Sequence, residues 1–351
     1  MNSHLRALSE AIGVSGKEDA VRKIVLSAID GHASDIKIDP MGSVTGRKKA
    51  SSADPLRETL RVMIAAHMDE VGFMLMGFDG DGLIRFTAIG GIDDRILPGM
   101  RVKIGDNHVP GVIVWTPIHK NREQAVVKMS NLRIDIGATS KDEAADRVKR
   151  GDRIAFDSQF VEGDTYLRGK SFDDRVGCAL LIDLLQHEAP YPVEVLAAFT
   201  VQEEVGLRGA QVAAQTLKPD LAIVLENTAA NDMPDPVDEP DEERDPAPQC
   251  RLGAGPVLTV MDPRLIVNPK LLAFVRRTAE KEGIAYQFKS ILAGGTDGGS
   301  IHIANAGIPT AVISMPCRYL HRPSSVIHRR DYADVLKLVK AILHSVSKSD
   351  F

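Results

Sequence analysis

The stretch Leu60-Arg-Val-Met-Ile-Ala-Ala-His-Met-Asp-Glu70 decides the fold of this 351-residue chain. Residues 60–66 form a short apolar run, which is typical of a strand buried on both faces of a sheet. The run leads directly into the polar segment His67–Glu70, so the polar groups lie where the strand ends. Similar apolar runs predict three further strands, at residues 193–200, 221–225 and 310–314.

Segments with the periodicity of helices lie between and after these strands. They cover residues 176–186, 207–215, 269–282, 300–306 and 332–345. A further helix is expected to continue to about Ile29, with Ser15 as its N-terminal cap because Glu18 follows three residues later. Strands that alternate with helices predict an α/β fold with a mostly parallel sheet flanked by helices.

The middle of the chain has a different sequence pattern. Short β-prone runs separated by glycine-rich turns lie at residues 73–76, 83–87, 101–104, 112–115 and 153–156, and only 141–149 looks helical. This change predicts a β-rich domain at residues 70–166, inserted into an α/β domain made of residues 1–69 and 167–351. The alternative is that these strands extend the main sheet.

Charge and composition exclude several classes of protein. Lysine and arginine total 43 against 48 acidic residues, whereas proteins that bind nucleic acids or membrane surfaces usually carry a basic excess. No apolar stretch approaches the roughly 18 residues that span a bilayer, and the first residues lack a signal-peptide pattern. The three cysteines show no disulfide framework, which favours a reducing compartment. We therefore expect a cytoplasmic globular enzyme that contacts neither nucleic acid nor membrane.

Acidic or imidazole side chains follow all four predicted strands. Because sites in open α/β sheets form beyond the carboxyl ends of the strands, these groups are expected to converge. A fifth segment adds Asp173 and Asp174 at the start of a helix, where acids serve equally well as N-terminal caps. The combined candidate set is His67, Asp173, Glu204, Glu226 and His321, with Asp69 and Glu203 beside them.

Imidazole and carboxylate ligands suit zinc, cobalt or manganese, and none of these ions requires a thiolate. Five such ligands are more than a single tetrahedral catalytic zinc uses. They match two ions, about 3.5–4 Å apart, that share a bridging carboxylate and a water molecule. Two ions in this arrangement can both activate the water and polarise a carbonyl group.

Two pairs of residues near the strand ends suggest a division of roles. A metal-bound imidazole commonly donates its second N–H to a carboxylate, and Asp69 points to the same side as His67 in extended backbone. Glu203 and Glu204 are adjacent, so they cannot point the same way along a strand. One of them can bind metal while the other faces the substrate as a general base.

Three other features have plainer interpretations. Cys317 lies four residues before His321, a spacing that suits zinc, but a buried free thiol is favoured because there is no second cysteine partner. The glycine-rich stretch 294–299 lacks phosphate-loop spacing and is interpreted as a tight loop beside a substrate pocket, where Asp297 contacts substrate or caps the next helix. Residues 232–249 are acidic and proline-rich, which favours a solvated loop.

Five short motifs occur in the order that is typical of one known family. They are Ala66-His-Met-Asp-Glu-Val-Gly-Phe73, Phe172-Asp-Asp-Arg-Val-Gly177, Gln202-Glu-Glu-Val-Gly206, Gly294-Gly-Thr-Asp297 and Arg318-Tyr-Leu-His321. Together they resemble the motifs of the M42 family of metallo-aminopeptidases, relatives of the tetrahedral aminopeptidases and of proteins once labelled endoglucanases. The motifs extend over nearly the whole chain, from residue 66 to residue 321.

The resemblance implies a catalytic α/β domain interrupted by a β-barrel-like dimerisation domain. It implies an aminopeptidase that removes N-terminal residues from peptides with the help of two divalent ions, zinc or cobalt, with manganese as an alternative. Many such enzymes assemble from dimers into tetrahedra of twelve subunits, so a homo-oligomer is expected.

The resemblance also assigns roles to the candidate residues. The ions would be bound by His67, Asp173, Glu204, Glu226 and His321. Asp173 would bridge the two ions, each of which would also hold one of the histidines. Glu203 would act as the general base, and Asp69 would orient His67.

The sequence departs from the family in two places. Many members have an aspartate where this chain has Glu226, whose longer side chain can still ligate but changes coordination or metal preference. The acidic loop at residues 232–249 is also longer than usual, and it either lines the cavity or is an inert surface excursion. Its charge favours the second interpretation.

Three alternative functions are open. The same ligands would serve a related metal-dependent deacylase that acts on acylated amino acids. Paired carboxylates also occur in glycoside hydrolases, although an aromatic content of 5% does not indicate a sugar-binding cleft. The third alternative is a non-enzymatic protein that keeps the fold for assembly or binding, and the intact set of candidate ligands argues against it.

Overall fold

The computed structural model of the chain describes residues 4–51, 59–115, 126–233, 250–289 and 294–351. Numbered in chain order, the strands of the main sheet in these ranges are β1 Ser34–Ile38, β2 Val44–Lys48, β3 Arg61–His67, β12 Glu194–Thr200, β13 Leu221–Ala229, β14 Val257–Leu258, β17 Gln287–Phe288 and β18 Thr310–Cys317. They are ordered β1-β2-β12-β3-β13-β18-β14-β17. The four central strands, from β12 to β18, run parallel, which confirms the predicted fold class.

Helices cover both faces of this sheet. They are α1 His4–Glu10, α2 Asp19–Ile29, α4 Phe172–Gln186, α5 Arg208–Leu217, α6 Pro269–Lys281, α7 Gly298–Ile301 and α8 Arg329–Ser345. Val62 and Ile64 of β3 are buried in one apolar cluster with residues of α1, α2, α4, α6 and α8, whereas Met63 is buried in a second cluster with residues of α5 and α7. Both faces of β3 are therefore covered, which explains why residues 60–66 do not alternate with polar ones.

The strands of the middle segment close into a separate barrel. They are β4 Gly72–Phe78, β5 Ile84–Ile89, β6 Arg101–Ile104, β7 Val109–Val114, β8 Arg133–Asp135 and β9 Arg153–Phe156, with helix α3 Lys141–Arg147 beside β4. The order around the barrel is β4-β5-β8-β7-β6-β9. Its interior has its own core, in which Phe73 packs edge-on against Phe86 and Phe156 with ring centroids 5.2 and 5.4 Å apart. The alternative that these strands extend the main sheet is therefore wrong.

Short strands complete the described part of the chain. They are β10 Val161–Glu162, β11 Tyr166–Gly169, β15 Met261–Asp262, β16 Leu265–Ile266 and β19 Ser325–His328. β11, which follows the barrel in the chain, pairs with β19 near the C-terminus. None of the helices within the described ranges combines the length and the apolar character needed to cross a bilayer. Most of the acidic loop, residues 234–249, lies outside the described residues.

Ser15 does not cap α2, contrary to the expectation from the sequence. The helix begins at Asp19, and the residue before it, Glu18, makes no side-chain capping hydrogen bond. The hydroxyl of Ser15 instead donates to Oδ2 of Asp69 at 2.7 Å. The serine therefore ties the N-terminal segment to the residues that follow β3.

The helix expected at residues 300–306 is shorter and starts earlier than predicted. It begins at Gly298 and ends at Ile301. The chain then turns, because Asn305 adopts a left-handed φ of 54° and the backbone N–H of Ile308 donates to the carbonyl of His302 at 3.0 Å. This hydrogen bond forms in place of the bonds that would continue the helix.

Candidate metal centre

The candidate ligands converge at the carboxyl edge of the central strands. His67 is the last residue of β3 and is paired in register with Thr200, the last residue of β12. Glu226 lies in β13, which continues beyond the predicted end at Leu225. His321 follows β18 after a turn and has a left-handed φ of 56°. Parallel strands bring these distant stretches of sequence to one edge, as expected.

Asp173 lies between the two histidines. Its Oδ1 is 3.2 Å from Nε2 of His67, and its Oδ2 is 3.5 Å from Nε2 of His321. Oε1 of Glu226 lies 3.6 Å from Nε2 of His67, and Oε1 of Glu204 lies 3.3 Å from Nε2 of His321. The five candidate ligands thus form a His67 group with Glu226 and a His321 group with Glu204, and the two groups share Asp173.

Backbone carbonyls orient both imidazole rings. Nδ1 of His67 lies 3.1 Å from the carbonyl oxygen of Asp69, and Nδ1 of His321 lies 2.8 Å from that of Gly91. Because a carbonyl oxygen only accepts hydrogen bonds, the proton is placed on each Nδ1. Each Nε2 then faces the carboxylates, which is the orientation that a metal-binding histidine needs.

The carboxylate of Asp69 contacts more than the predicted histidine. Its Oδ1 lies 3.4 Å from Nδ1 of His67, which is farther than the residue's own carbonyl oxygen. The same carboxylate accepts hydrogen bonds from the backbone N–H groups of Glu203 at 3.0 Å and Glu204 at 3.2 Å. Asp69 therefore also fixes the turn that presents the two glutamates.

Asp174 is a second acid close to His67, and one of its oxygens lies near enough to His67 and Glu226 to share a metal ion. However, its Oδ2 accepts from the backbone N–H of His67 at 3.2 Å, and its Oδ1 accepts from that of Gly177 at 3.0 Å. Both oxygens of Asp174 bind backbone, whereas both oxygens of Asp173 face imidazoles. Asp173 is therefore the better candidate ligand.

The carboxylates favour positive charge at both imidazoles. Burial disfavours the charged ring of His67, but hydrogen bonds to carboxylates, first that of Asp173, outweigh burial and hold its pKa well above the usual value. Burial is also outweighed at His321, where the neighbouring carboxylates of Asp173 and Glu204 raise the pKa to about 11. Divalent cations beside Nε2 of each ring would supply the positive charge that these carboxylates favour.

The acids of the cluster are buried without enough hydrogen-bond donors. Burial raises the pKa of Glu226 to about 8. Burial also raises the pKa of Glu203 well above its usual value, against the attraction of His67. Oε1 of Glu204 is buried and has no hydrogen-bond partner among the described residues. Buried carboxylates need protons, hydrogen bonds or metal ions, and this set of nitrogen and oxygen donors fits divalent zinc, cobalt or manganese.

A cavity of about 510 Å³ opens at the candidate centre. Among the described residues, its lining includes the ionisable groups Asp173, Glu203, Glu204, Glu226, Arg264, Lys289 and His321. Gly294, Gly295 and Thr296 also line it, as expected for a tight loop beside a pocket. Asp297 does not cap α7 with its side chain, which is buried and whose Oδ2 accepts from the hydroxyl of Thr200 at 2.6 Å.

A buried ionic network, which the sequence patterns did not predict, lies behind the ligands. The guanidinium of Arg175 is fully buried and donates to the carbonyl of Met68 at 2.8 Å, and it also reaches Oε1 of Glu70 at 3.3 Å. Nζ of Lys170 lies 2.7 Å from Oε2 of Glu70. A signal was present, because Lys170 and Arg175 flank Asp173 in sequence. The network ties the start of α4 to the residues that follow β3.

A family model and a curated relative match the chain along most of its length. The family model, described as M42 glutamyl aminopeptidase, matches residues 42–338. The lysyl aminopeptidase of Pyrococcus furiosus is 31% identical over 362 residues, which cover 99% of this chain and 98% of that protein.

Solved structures are similar over the whole chain as well. Aminopeptidase APDkam598 from Desulfurococcus kamchatkensis has a TM-score of 0.90 at 34% identity and covers 99% of this chain and 95% of its own. The TET1 peptidase of Pyrococcus horikoshii, which can assemble into a tetrahedron or a large octahedral shell, has a TM-score of 0.84 at 31% identity and covers 97% and 98%. The chain therefore belongs to the M42 family of peptidases.

Proposed function

We propose that the chain is a metal-dependent aminopeptidase that removes N-terminal residues from peptides. The observation that carries the proposal is the position of Asp173 between the Nε2 atoms of His67 and His321. Together with Glu204 and Glu226, these side chains would hold two divalent ions, either zinc or cobalt, with manganese as an alternative. The aminopeptidase names of the relatives support the same reaction.

Glu203 is the side chain best placed to move protons. Bound ions would polarise the scissile carbonyl and acidify the attacking water. Glu204 lies against His321, whereas no ion pair joins Glu203 to a histidine among the described residues. Glu203 lines the cavity, where a glutamate can take a proton from water and pass it to the leaving amine. Asp69 holds the backbone of Glu203 and so fixes the position of this base.

The assembly of the relatives supports a homo-oligomer for this chain. The TET1 peptidase of Pyrococcus horikoshii can assemble into a tetrahedron or a large octahedral shell. We infer that this chain forms dimers through its barrel and that the dimers build a tetrahedral dodecamer.

Removal of metal is expected to abolish hydrolysis of aminoacyl anilides, and added zinc, cobalt or manganese should restore it. The reason is that polarisation of the carbonyl supplies several kcal/mol of stabilisation to the transition state. N-acetylated anilides serve as the matched control and should not be cleaved. Preferential cleavage of the acetylated substrates would favour a deacylase, and hydrolysis of a β-glucan that survives chelation would favour a glycoside hydrolase.

Arg264 and Lys289 predict a preference for acidic N-terminal side chains. Among the described residues, the four carboxylates that line the cavity belong to the candidate centre, and two divalent ions would balance their charge. The two basic side chains would then make the cavity positive, which favours an anionic substrate group. Oδ1 of Asp262 fixes the backbone of Arg264 by accepting its N–H at 2.7 Å.

The kcat/KM for glutamyl anilide is therefore expected to exceed that for glutaminyl anilide by about tenfold or more, because a hydrogen bond to a charged group typically stabilises a complex by that factor. Arg264→Met and Lys289→Met should each reduce this ratio. Lys281→Met, which changes an exposed charge in α6, is the control and should leave the ratio unchanged. Equal kcat/KM values for both anilides in the unaltered protein would contradict the prediction.

A further inference from the structure

The barrel supplies one of the groups that orient the candidate ligands. Gly90 and Gly91 follow β5, whose last residue is Ile89. The carbonyl oxygen of Gly91 lies 2.8 Å from Nδ1 of His321, although the two residues are 230 positions apart in the chain. His67, in contrast, is oriented by the carbonyl of Asp69, two residues away at the end of its own strand.

The two histidines also differ in how firmly their surroundings hold them. The side chain of His67 is 2% exposed, and its backbone is fixed by hydrogen bonds from its N–H to Asp174 and from the Sγ of Cys178 to its carbonyl. The side chain of His321 is 36% exposed. Among the described residues, Gly91 provides the hydrogen bond that holds Nδ1 of His321.

Gly90 lies in the same loop, next to Glu204, which is the second carboxylate or imidazole ligand that belongs to the His321 group alone. Its φ of +82° is left-handed, a conformation that favours glycine. A Cβ at position 90 would lie 2.8 Å from Cγ1 of Val71 and 3.4 Å from Cβ of Glu204. The loop thus binds His321 and leaves little space between Gly90 and Glu204, and these are the two ligands that the His67 group does not contain.

We propose that the Gly90–Gly91 loop of the barrel is a positioning element for one of the two ions. It sets the ring of His321 so that Nε2 faces Asp173 and Glu204, and binding at the His321 group therefore depends on the barrel. Binding at the His67 group depends on residues of the main sheet and α4. This inference rests on the proposed function, because it concerns the same pair of ions.

Gly90→Ala tests the proposal, with Gly99→Ala as the matched control. Both glycines lie in the barrel segment with nearly equal φ values, +82° and +84°, but a Cβ at position 99 has nothing within 4 Å. Gly90→Ala should keep one ion and weaken binding of the other by about 10–100-fold, the usual effect of disturbing a group that orients a metal ligand. Gly99→Ala should bind both ions as the unaltered protein does. Zinc titration with metal analysis measures both affinities.

A second substitution separates positioning from general damage. Val71→Ala removes the Cγ1 methyl group that a Cβ at position 90 would meet, so Val71→Ala combined with Gly90→Ala should recover much of the weaker site. Gly90→Ala that binds both ions normally, or that weakens both equally, would overturn the proposal.

An NMR measurement makes the inference testable apart from the proposed function. Unaltered protein that binds fewer than two ions would refute the proposed function itself. The metal-free protein still decides the inference, because the Nδ1–H proton of His321 should lose its hydrogen-bonded chemical shift in Gly90→Ala and keep it in Gly99→Ala. An unchanged shift in Gly90→Ala would overturn the proposed role of the loop.

Discussion

Glu203→Gln is expected to lower kcat for aminoacyl anilides by about 10²–10⁴-fold, the usual contribution of a general base, while two ions stay bound. Glutamine keeps the size and shape of the side chain but does not accept the proton of the attacking water. The ligand groups remain, because Glu203 forms no ion pair with His67 or His321 among the described residues. Turnover measured at saturating metal, together with metal content per chain, checks both parts of the prediction.

Glu188→Gln is the control for this substitution, because Glu188 is exposed and follows α4 at a distance from the cavity. It should leave kcat unchanged. If Glu203→Gln kept most of its turnover with both ions bound, another group would have to be the base. If Glu203→Gln lost an ion, Glu203 would be a ligand instead.

Asp173→Asn is expected to have the second large effect, because Asp173 is the one side chain that both groups of candidate ligands share. An amide offers a single weak oxygen donor in place of two charged oxygens, so neither group keeps its full ligand set. We expect weaker binding of both ions and a loss of activity of about a thousandfold or more, as several kcal/mol of transition-state stabilisation disappear. Metal titration and anilide hydrolysis measure these changes.

Asp142→Asn is the matched control, since this exposed aspartate lies in the first turn of α3 in the barrel. It should bind two ions and retain activity. An Asp173→Asn variant that still holds both ions at unchanged affinity would show that Asp173 is not the shared ligand. Asp174 would then be the candidate for the His67 group, as its proximity to His67 and Glu226 allows.

The central strands could be predicted because their burial on both faces produces continuous apolar runs in the sequence. Residues 60–66 are apolar at nearly every position, since each face of β3 packs against helices. The candidate ligands could be predicted for the related reason that parallel strands place their carboxyl ends together. The short strands β14 and β17 have two residues each, which is too few to show an apolar run or a periodic pattern, so they were not predicted.

Apart from Asp69, the groups that orient the ligands could not be predicted, because many of their contacts involve the backbone. The carbonyl of Gly91 acts on His321 through an atom that every residue has, so the residue type gives no signal. Ser15 matched a capping pattern, yet its hydroxyl bonds to Asp69 from a distant segment. Local patterns do not reveal such contacts, because they depend on how the barrel and the N-terminal segment pack against the sheet.

The most direct test of the account is anomalous diffraction from crystals of the protein grown with zinc. Our prediction is two peaks of anomalous density per chain, one beside Nε2 of His67 and one beside Nε2 of His321, with an oxygen of Asp173 facing each. A single peak, or peaks that do not contact Asp173, would contradict it.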